Sequence, residues 1–531
     1  MTPTSQTEIE RKFDVEPGTA LPDLSEIGTV DGPHTVELEA IYFDTATNDL
    51  ARERITLRRR TGGKDAGWHL KLPSGIDRAE VNAPIADAQG SEDQIGAVPN
   101  ELLDPVRSTV RDRELSPIAR ISTRRTIRTL LDDEDQPAVE VADDDVSATD
   151  LRSGVARVWR EWEAELLGVT DDNLEQRMRL LERVQERLLR AGASASLSRS
   201  KLARTLGRDS LGNPDQTNEE PPSDPDGRSD AAPDAFGLAT AIVRSLVEAL
   251  ERADASVRAD EPDSIHVMRT IVRRLRSVLA SFADVFDRLA VGDLRQRLRR
   301  LGSVLGEARD LEVRAAAAAR ELESIPAELR DDESTARLVE GDRVAFGEAR
   351  DRAIAYLSNS PYYRLLDTLD DFVFAPRSQD PAVEKRAGEP AERLARRALR
   401  TASKRTVKRA ANLPHTADAG DYLSEFHEVR KAARRLRYTA EAILDANPRE
   451  TGSSVRRLAR RAERVQDMLG EHRDGILFAE HLMFESNRAH AAGEKTFVYG
   501  ALYDKSGRDA NLAVERISAA IGKIGRSSKK L

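Results

Sequence analysis

The chain has 531 residues, which is too long for one ordinary hydrophobic core and predicts about two to four compact units. Its 83 basic and 93 acidic residues leave a formal net charge of -10, which argues against a nucleic-acid-binding protein that is basic over its whole surface. There is no cysteine, which excludes disulfides, thiolate nucleophiles and cysteine-ligated metal sites.

Two further features of the composition narrow the choice of partner and location. Aromatic residues make up only 4% of the chain, which weakens a role in binding single-stranded nucleic acid by base stacking. No basic segment followed by an apolar run opens the sequence, and no apolar stretch is long enough to cross a bilayer. We therefore expect a cytoplasmic protein with no membrane partner, whose ligand is an anion without bases to stack.

Short runs of alternating residues fill the chain from Glu8 to about Glu165. Alternation with a period of two predicts strands, which we place at TEIERKF, TVELEAIYF, RITLRRR, WHLKL and RAEVNAP. Many regularly spaced strands favour a sheet that closes into a barrel. After Asp171 the apolar residues follow helical spacing from Leu174 to Leu188, so a helix is predicted to end this unit.

The sequence changes character twice beyond this helix. From Arg208 to Asp234 it is rich in proline and acidic residues, which predicts a disordered linker. From Phe236 to about Ile524 it is rich in alanine, leucine and arginine, which predicts helices throughout. We therefore expect an α+β chain with units at residues 5–207 and 236–524, joined by a linker at residues 208–235.

The helical half repeats two motifs. The segment from His266 to Arg276 recurs from His427 to Arg437, and LGEARD at 305–310 recurs as LGEHRD at 469–474. The spacing from the histidine to the glycine of the second motif is similar in the two copies, 40 residues in one and 43 in the other. Such a repeat predicts two equivalent helical bundles.

Carboxylates alternate on two of the predicted strands. Residues two apart in a strand share a face, so Glu8, Glu10 and Lys12 lie together. The segment REWEAEL likewise brings Glu163 and Glu165 onto one face, together with Glu161. Such carboxylates can hold a hard divalent cation. The alternative, for either strand alone the commoner one, is a solvated edge strand.

Cationic side chains alternate on the other strands. Arg58 and Arg60 share a face, His69 and Lys71 share another, and Arg78 shares one with Glu80. Arginine binds phosphate oxygens through its planar fork, and lysine binds them as a point charge. A barrel lined by both signs of charge predicts a charged guest, and a polyphosphate chain held beside a metal satisfies both.

The motifs TEIERKF, YFDT, LRRR, WHLKLP, RAE, EWEAEL and SKLAR, in this order, resemble the CYTH family, also called triphosphate tunnel metalloenzymes, over roughly residues 5–205. The resemblance implies an eight-stranded antiparallel barrel that forms a tunnel, dependence on Mg²⁺ or Mn²⁺, and cleavage of triphosphates. The metal ligands it implies are Glu8, Glu10, Glu163 and Glu165. The phosphate contacts it implies are Lys12, Arg58, Arg60, Lys71 and Arg78. Lys201, in SKLAR, resembles a lysine that assists the attack of water.

Alternation leaves some positions open. Either Arg124 or Arg125 faces the tunnel, and the resemblance favours Arg125 as a phosphate contact. Glu161 is either part of the carboxylate set or a carboxylate at the rim. The positions of Glu140 and Asp144 also allow them to add carboxylates to the tunnel, whereas His69, beside a tryptophan, is more often a packing residue than a ligand or base.

Each repeat of the helical half carries a cationic stripe. Positions 0, 3, 7 and 10 of a helix lie on one side, which groups His266 with Arg269, Arg273 and Arg276. The twin stripe consists of His427, Arg430, Arg434 and Arg437. One such stripe is more often a solvated face. Two copies imply a use that offsets the repulsion between like charges.

The doubled motifs resemble the CHAD domain, a helical unit of two pseudo-symmetric bundles that binds inorganic polyphosphate, over roughly residues 236–524. Arg309 and Arg473, within the second motif, are added to the expected polyphosphate contacts, with structural ion pairing as their alternative. This half has neither a glycine-rich phosphate loop nor a second histidine placed for helical zinc binding, and nothing in it indicates catalysis.

Together these observations predict a metal-dependent triphosphate hydrolase, an acid anhydride hydrolase, with Mg²⁺ or Mn²⁺ as cofactor. The expected substrate is inorganic triphosphate or a related organic triphosphate. The helical half is expected to bind polyphosphate and to localise the enzyme, including at polyphosphate granules. The alternatives are a non-catalytic polyphosphate-binding protein and an adenylate cyclase of the class IV type, which uses the same tunnel.

Overall fold

The computed structural model divides the chain into two compact units, Met1–Ser229 and Asp230–Leu531. Glu8 and residues 208–232 of the predicted linker lie outside the described residues. The structure describes residues 9–74, 77–85, 98–132, 134–170, 173–198, 200–207, 233–411, 422–446 and 452–528.

In the described part of the first unit, nine strands form one antiparallel sheet. The strands are β1 (Glu10–Val15), β2 (Val30–Asp44), β3 (Thr56–Thr61), β4 (Gly67–Ser74), β5 (Asp77–Ala83), β6 (Ser116–Leu131), β7 (Pro137–Asp150), β8 (Ala156–Leu166) and β9 (Ser194–Ala195). The predicted strands from TVELEAIYF to RAEVNAP are confirmed as parts of β2, β3, β4 and β5.

The expected closed eight-stranded barrel is wrong. The strand order is β5-β4-β3-β2-β6-β7-β8-β1-β9, so β5 and β9 are edges and the sheet does not close within the described residues. The reason lies at β1, whose residues Phe13 and Asp14 pair with the short strand β9 while its other side pairs with β8. Because β8 and β9 occupy the two sides of β1, β5 does not pair with β1 within the described residues.

The apolar side of the sheet at β1 and β8 packs against one helix, α4 (Leu174–Arg190). Trp162 and Phe13 alternate with the charged residues of β8 and β1 and are buried with Leu181 and Leu188 of that helix in one core. This helix is the one predicted from helical spacing, and it is confirmed. Because it covers the apolar side, the charged residues of β1 and β8 lie on the opposite side of the sheet. The helices of this unit are α1 (Asp49–Arg52), α2 (Asn100–Leu103), α3 (Arg107–Val110), α4 (Leu174–Arg190) and α5 (Lys201–Thr205).

The second unit is mostly helical, as predicted. Its helices are α6 (Ala235–Arg258), α7 (Ser264–Ser281), α8 (Arg288–Glu323), α9 (Asp332–Thr335), α10 (Gly341–Leu357), α11 (Ser360–Phe374), α12 (Pro381–Ala387), α13 (Ala391–Ala410), α14 (Tyr422–Ala446), α15 (Ser453–Ala491) and α16 (Phe497–Ser528). In the part of the chain that the structure describes, no helix is both long and apolar enough to span a bilayer.

The repeated motifs occupy matching helices. The histidine motifs lie on α7 and α14, and the LGExRD motifs lie on α8 and α15. The helices α7 and α14 pack against each other, and the hydroxyl groups of Ser281 and Thr439 are 2.7 Å apart. One continuous apolar core includes residues of all four helices. The two cationic stripes are therefore brought together at the contact between the repeats.

Candidate phosphate and metal sites

Carboxylates from three neighbouring strands line one side of the first unit. In the register of β1 with β8, Glu10 stands opposite Glu165, and Lys12 stands opposite Glu163. Glu161 stands opposite Asp144 of β7, and Glu165 stands opposite Glu140. Directly opposed residues in antiparallel strands have their Cβ atoms about 4.5–5.5 Å apart. The register therefore forms a compact acidic region across β1, β8 and β7.

Three of these carboxylates converge on one ammonium group. Oxygen atoms of Asp144, Glu161 and Glu163 lie within 4.8 Å of one another, and all three residues are buried. The Nζ atom of Lys201 lies 2.6 Å from Glu161, 2.8 Å from Glu163 and 2.9 Å from Asp144. Lys201 is the first residue of α5, which is capped by the Ser200 hydroxyl accepting from the Ala203 amide. The cap fixes the turn from which this lysine reaches the cluster.

Two further cations reach the same cluster from β6 and β1. The guanidinium group of Arg125 donates to both oxygens of Asp144, at 2.8 and 2.7 Å, and also to Glu163. The ammonium group of Lys12 lies 2.6 Å from Glu163 and 3.0 Å from Glu10. Arg124, by contrast, points to the other side of the sheet, with 66% of its side chain exposed against 16% for Arg125.

Mutual neutralisation shifts the pKa values in the cluster. Burial alone would raise the pKa of Glu163, but Lys12, Lys201 and Arg125 together hold it well below its usual range. Burial opposes the charge on Lys201 as well, yet Glu163, Asp144 and Glu161 raise its pKa above the ordinary value. At neutral pH Glu163 is therefore ionised and Lys201 is protonated.

The other end of the charged side is cationic. Arg58 donates to the Tyr42 hydroxyl over 3.4 Å and lies in register with Tyr42 and His69. The Nζ atom of Lys71 lies 3.6 Å from Glu80. Burial, and then the charges of Arg58 and Arg125, lower the pKa of Arg60 to about 10. Because the charge of Arg125 acts on Arg60, the cationic end lies close to the acidic region.

The structure brings most of the expected site residues of this unit to one side of the sheet. Glu10, Glu163 and Glu165 are neighbours through the register of β1 and β8. Arg78 lies on β5 opposite Pro73, and its side chain is outside the described residues, as is the whole of Glu8. Of the two positions left open for Glu161, the structure has the one within the carboxylate set, because only 4% of this residue is exposed.

Some functional partners are missed by the sequence analysis. The Tyr42 hydroxyl contacts Arg58, and the Trp159 indole donates to Glu161 over 2.5 Å. His69 is buried, as a packing residue would be, but its Nδ1 atom lies 2.7 Å from Glu80. Strand parity is the signal that could have found Tyr42 and Trp159, because each lies two residues from an inward-facing position.

The donor set of the acidic region fits a hard divalent cation. Oxygen ligands from carboxylates are those that Mg²⁺ and Mn²⁺ prefer. Carboxylates here outnumber the ammonium and guanidinium groups that contact them, which leaves negative charge for a metal to neutralise. The carboxylates are Glu10, Glu140, Asp144, Glu161, Glu163 and Glu165, and the cations are Lys12, Arg125, Lys201 and Arg204.

In the second unit, the motif glycines lie beneath the first arginine of each stripe. A Cβ atom at Gly306 would lie 3.6 Å from the guanidinium group of Arg269, and one at Gly470 would lie 3.4 Å from that of Arg430. Arg269 also pairs with Asp310 over 3.0 Å. The structure therefore gives the two repeats the same local geometry around the first arginine.

The middle arginines of the two stripes repel each other. Burial, and then Arg269 and Arg434, lower the pKa of Arg273 to about 9. Burial, and then Arg430, lower the pKa of Arg434 to about 10. Neither forms an ion pair with a carboxylate among the residues that the structure describes. Uncompensated cations of this kind favour an anionic ligand.

The two histidines and the two arginines of the second motifs, which complete the expected polyphosphate contacts, have different neighbours in the two repeats. The pKa of His266 is lowered by burial and Arg309, and that of His427 by burial and Lys431. Arg309 lies 2.7 Å from Glu312 and 3.3 Å from Asp263, so the structural ion pairing considered for it is present. Arg473 lines a small cavity with His427 and Arg430.

Arg276 and Arg437 occupy equivalent ends of the two stripes, but their neighbours differ in charge. Arg437 is paired with three carboxylates, those of Glu441, Glu463 and Asp467, at 2.7, 2.7 and 3.6 Å. The pKa of Arg276 is instead lowered, by burial and by the nearby Arg299 and Arg295. The two repeats are thus alike at the first arginine and unlike at the last.

Comparisons with known proteins agree with this division. A family model of the CYTH domain matches residues 6–195, and one of the CHAD domain matches residues 241–483. The chain is 38% identical over 546 residues to the uncharacterized protein MT2285 of Mycobacterium tuberculosis (strain CDC 1551 / Oshkosh), covering 99% of this chain and 98% of that protein.

Two solved structures are similar to parts of the chain. The crystal structure of the CHAD domain from the plant Ricinus communis covers 55% of this chain and 93% of its own, at 24% identity and a TM-score of 0.43. The structure of a putative adenylate cyclase from Bacillus halodurans covers 38% of this chain and 97% of its own, at 20% identity and a TM-score of 0.27.

Proposed function

Because the chain belongs to the family of proteins that join a CYTH domain to a CHAD domain, we propose that it is a metal-dependent triphosphatase that also binds polyphosphate. CYTH proteins are metal-dependent and are commonly triphosphatases or adenylate cyclases. The proposed substrate is inorganic triphosphate or a related organic triphosphate, and the proposed cofactor is Mg²⁺ or Mn²⁺.

The observation that carries the proposal is the separation of charge along one side of the sheet. Carboxylates gather on β1, β7 and β8, while Arg58, Arg60 and Lys71 lie on β3 and β4. A triphosphate that crosses this side would meet guanidinium and ammonium donors at one end and, at the other, carboxylates that could hold a metal. This arrangement suits a chain of phosphate groups better than it suits a single anion.

We assign the metal to Glu10, Glu163 and Glu165, with Glu8 as a fourth ligand from the family resemblance and Asp144 and Glu161 beside them. When bound, the metal would neutralise charge on the phosphate oxygens and make water a better nucleophile. Lys12 contacts Glu10 and Glu163, and Arg125 contacts Glu163 and Asp144, so a metal held by these carboxylates would free both cations to donate to phosphate oxygens. Arg78, on β5, is assigned to the phosphate chain from the resemblance alone.

Lys201 is assigned to charge stabilisation rather than to proton abstraction. Its raised pKa means that the ammonium group stays protonated at neutral pH and cannot accept the proton of an attacking water. The carboxylates around it hold the ammonium group in place. From that position it can donate to the attacking water or to a phosphate oxygen and stabilise the negative charge that develops there.

The double substitution Glu163→Gln with Glu165→Gln tests the catalytic proposal. It removes two carboxylate charges from the acidic region with little change in size, so turnover should fall at least about 100-fold while the fold is kept. The matched control is Glu37→Gln, since Glu37 lies on β2 with 76% of its side chain exposed on the other side of the sheet.

Phosphate release should be measured with tripolyphosphate, ATP, thiamine triphosphate and long-chain polyphosphate, each with Mg²⁺ and with Mn²⁺. Unchanged activity in the double variant would refute the assignment of the metal ligands. Formation of cyclic AMP from ATP by the unsubstituted protein would replace the triphosphatase with a cyclase. Binding of all these compounds without turnover would leave a non-catalytic polyphosphate-binding protein.

For the second unit, the proposed ligand is inorganic polyphosphate. Its contacts would be the two stripes on α7 and α14, together with Arg309 and Arg473 of the second motifs. Within the stripes Arg437 would contribute least, because three carboxylates already pair with it. The support is the pair of middle arginines, Arg273 and Arg434, whose charges meet at the helix contact without a described carboxylate between them. A linear polyanion neutralises such a row of charges, and each contact releases counterions into solution.

A further inference from the structure

The repeat in the second unit is broken at one place, and the break changes the charge of the surface. When the two histidine motifs are aligned, Ala280 of α7 corresponds to Glu441 of α14. When the glycines of the second motifs are aligned, Arg299 and Ser303 of α8 correspond to Glu463 and Asp467 of α15. Three equivalent positions therefore carry carboxylates in the second repeat and none in the first.

These three carboxylates share one partner. We call Glu441, Glu463 and Asp467 the acidic clamp, because each forms an ion pair with Arg437, at 2.7, 2.7 and 3.6 Å. The contacts raise the pKa of Arg437 in spite of its burial. Its guanidinium group is therefore neutralised by the protein itself and is a poor site for an added anion.

The equivalent end of the first repeat gathers more cations. Around Arg276 lie Arg295 and Arg299 of α8, and around Arg295 lie Arg299 and Arg405 of α13. Burial, Arg405 and Arg295 lower the pKa of Arg435 to about 10. We call this group the extension patch, and its members are Arg276, Arg295, Arg299, Arg405 and Arg435.

The charges of the extension patch lack internal compensation. None of its members forms an ion pair with a carboxylate in the part of the chain that the structure describes. The buried Nε atom of Arg295 has no hydrogen-bond acceptor among the described residues. The patch is continuous with the middle arginines, because the charge of Arg276 also acts on Arg434. A cationic path thus leads from the contact between the repeats into the patch.

We propose that the polyphosphate surface is open at one end only: the extension patch binds phosphate groups beyond the two stripes, and the acidic clamp excludes them at the equivalent end of the second repeat. The inference rests on the proposed binding of polyphosphate. It adds Arg295, Arg299, Arg405 and Arg435 as contacts and predicts that a long chain gains affinity from the patch that a short one does not reach.

A charge exchange at equivalent positions of the two repeats tests the inference in the full chain. Arg299→Glu gives the first repeat the residue of the second, and Glu463→Arg does the reverse. Binding of long-chain polyphosphate and of tripolyphosphate is measured in EDTA, which suppresses metal-dependent turnover, and over a range of salt concentrations. The control is Arg320→Glu, an exposed arginine farther along α8.

We expect Arg299→Glu to weaken binding of long-chain polyphosphate roughly tenfold and to reduce the salt dependence, because a phosphate contact is replaced by repulsion. Glu463→Arg should strengthen binding roughly threefold or more by releasing Arg437. Tripolyphosphate binding and the Arg320→Glu control should change less than about twofold. Arg405→Ala, at another exposed position, gives an independent loss if Arg299→Glu fails to fold.

The inference is overturned if Arg299→Glu and Arg320→Glu weaken long-chain binding equally, or if Glu463→Arg weakens it. It is also overturned if tripolyphosphate and the long chain lose affinity by the same factor, because the patch would then contribute nothing specific to length. Absence of polyphosphate binding in the unsubstituted protein is a different result, since it would refute the proposed function of the whole second unit.

Discussion

Removal of the ammonium group of Lys201 tests the carboxylate cluster directly. Lys201→Met keeps an unbranched side chain that is one atom shorter and removes its charge. Glu161 then loses its contact at 2.6 Å and keeps the Trp159 indole, with Arg204 at 3.9 Å. Asp144 and Glu163 keep the guanidinium group of Arg125, and Glu163 also keeps Lys12. One of the three carboxylates therefore loses its main neutralising partner.

The size of the effect follows from these contacts. Removal of one partner from a buried ion pair costs about 3–5 kcal/mol of folding free energy. We expect the lower end, about 3 kcal/mol, because two of the three carboxylates keep a cation. For a unit of this size, each 1 kcal/mol lowers the unfolding temperature by about 2–4 °C. In EDTA, the first unit of the Lys201→Met variant should therefore unfold roughly 6–12 °C below the unsubstituted protein.

A divalent cation should reverse much of this loss, because it supplies positive charge to the same oxygens. Thermal unfolding is measured for both proteins in EDTA and with Mg²⁺ or Mn²⁺, and the metal should stabilise the variant more than the unsubstituted protein. Lys64→Met, at an exposed lysine of the same unit, is the control. Equal stability in EDTA, or equal stabilisation by the metal, would show that Lys201 does not hold the cluster together.

Two further predictions concern pH and salt. Because the folded protein holds the pKa of Glu163 well below its ordinary value of 4.5, its contribution to stability is complete above that value and is lost progressively as the pH falls toward the folded pKa. The stability difference between the unsubstituted protein and Glu163→Gln, followed by chemical denaturation, should be constant from about pH 6 to 8 and shrink below about pH 4.5. A difference as large at about pH 3 as at about pH 7 would contradict this. The double substitution Arg273→Glu with Arg434→Glu should weaken polyphosphate binding at least about 100-fold and lower the dependence of binding on salt. Filter retention at several salt concentrations measures the affinity and its salt dependence. If binding by the unsubstituted protein does not respond to salt, the electrostatic origin of polyphosphate binding is contradicted.

Strand periodicity predicts the charged side of the sheet because it needs only local information. Side chains two residues apart in a strand share a face, so the common side of Glu161, Glu163 and Glu165 follows from the sequence. The burial of Glu161 does not follow, because α5 and Trp159 provide its contacts. Lys201, which completes the cluster, lies 38 residues from Glu163 along the chain, and only the packing of α5 brings it there.

The open sheet and the acidic clamp are missed for a related reason. Strand β9 has two residues and no alternation that a sequence pattern could detect, yet it occupies the side of β1 on which a barrel would close. In the second unit, Glu441 lies one helical turn after Arg437 and is visible in the sequence, but Glu463 and Asp467 come from α15. Helical spacing therefore predicts Arg437 as a twin of Arg276, while tertiary packing gives it different neighbours.

The glycines of the two LGExRD motifs allow a last test. Glycine lowers the stability of a helix, so its presence in both motifs suggests a role beyond helix formation. Glycine inside a helix is about 0.5–1 kcal/mol less favourable than alanine. Gly306 and Gly470 lie in the middle of α8 and α15, beneath the guanidinium groups of Arg269 and Arg430. The absence of a side chain therefore leaves the space in which each arginine lies. We infer that a small residue at each of these positions leaves the arginine placed for phosphate.

Leucine at both glycines should displace the two guanidinium groups and weaken polyphosphate binding roughly tenfold, since leucine extends beyond Cβ into the volume that the arginines occupy. Alanine at both, whose Cβ atoms would make ordinary contacts at 3.6 and 3.4 Å, should instead stabilise the unit by about 1 kcal/mol with little loss of binding. The control is Gly292→Leu, on α8 with no atom within 4 Å of its Cβ position. If the leucine pair binds polyphosphate as tightly as this control, the glycines do not position Arg269 and Arg430 for the ligand.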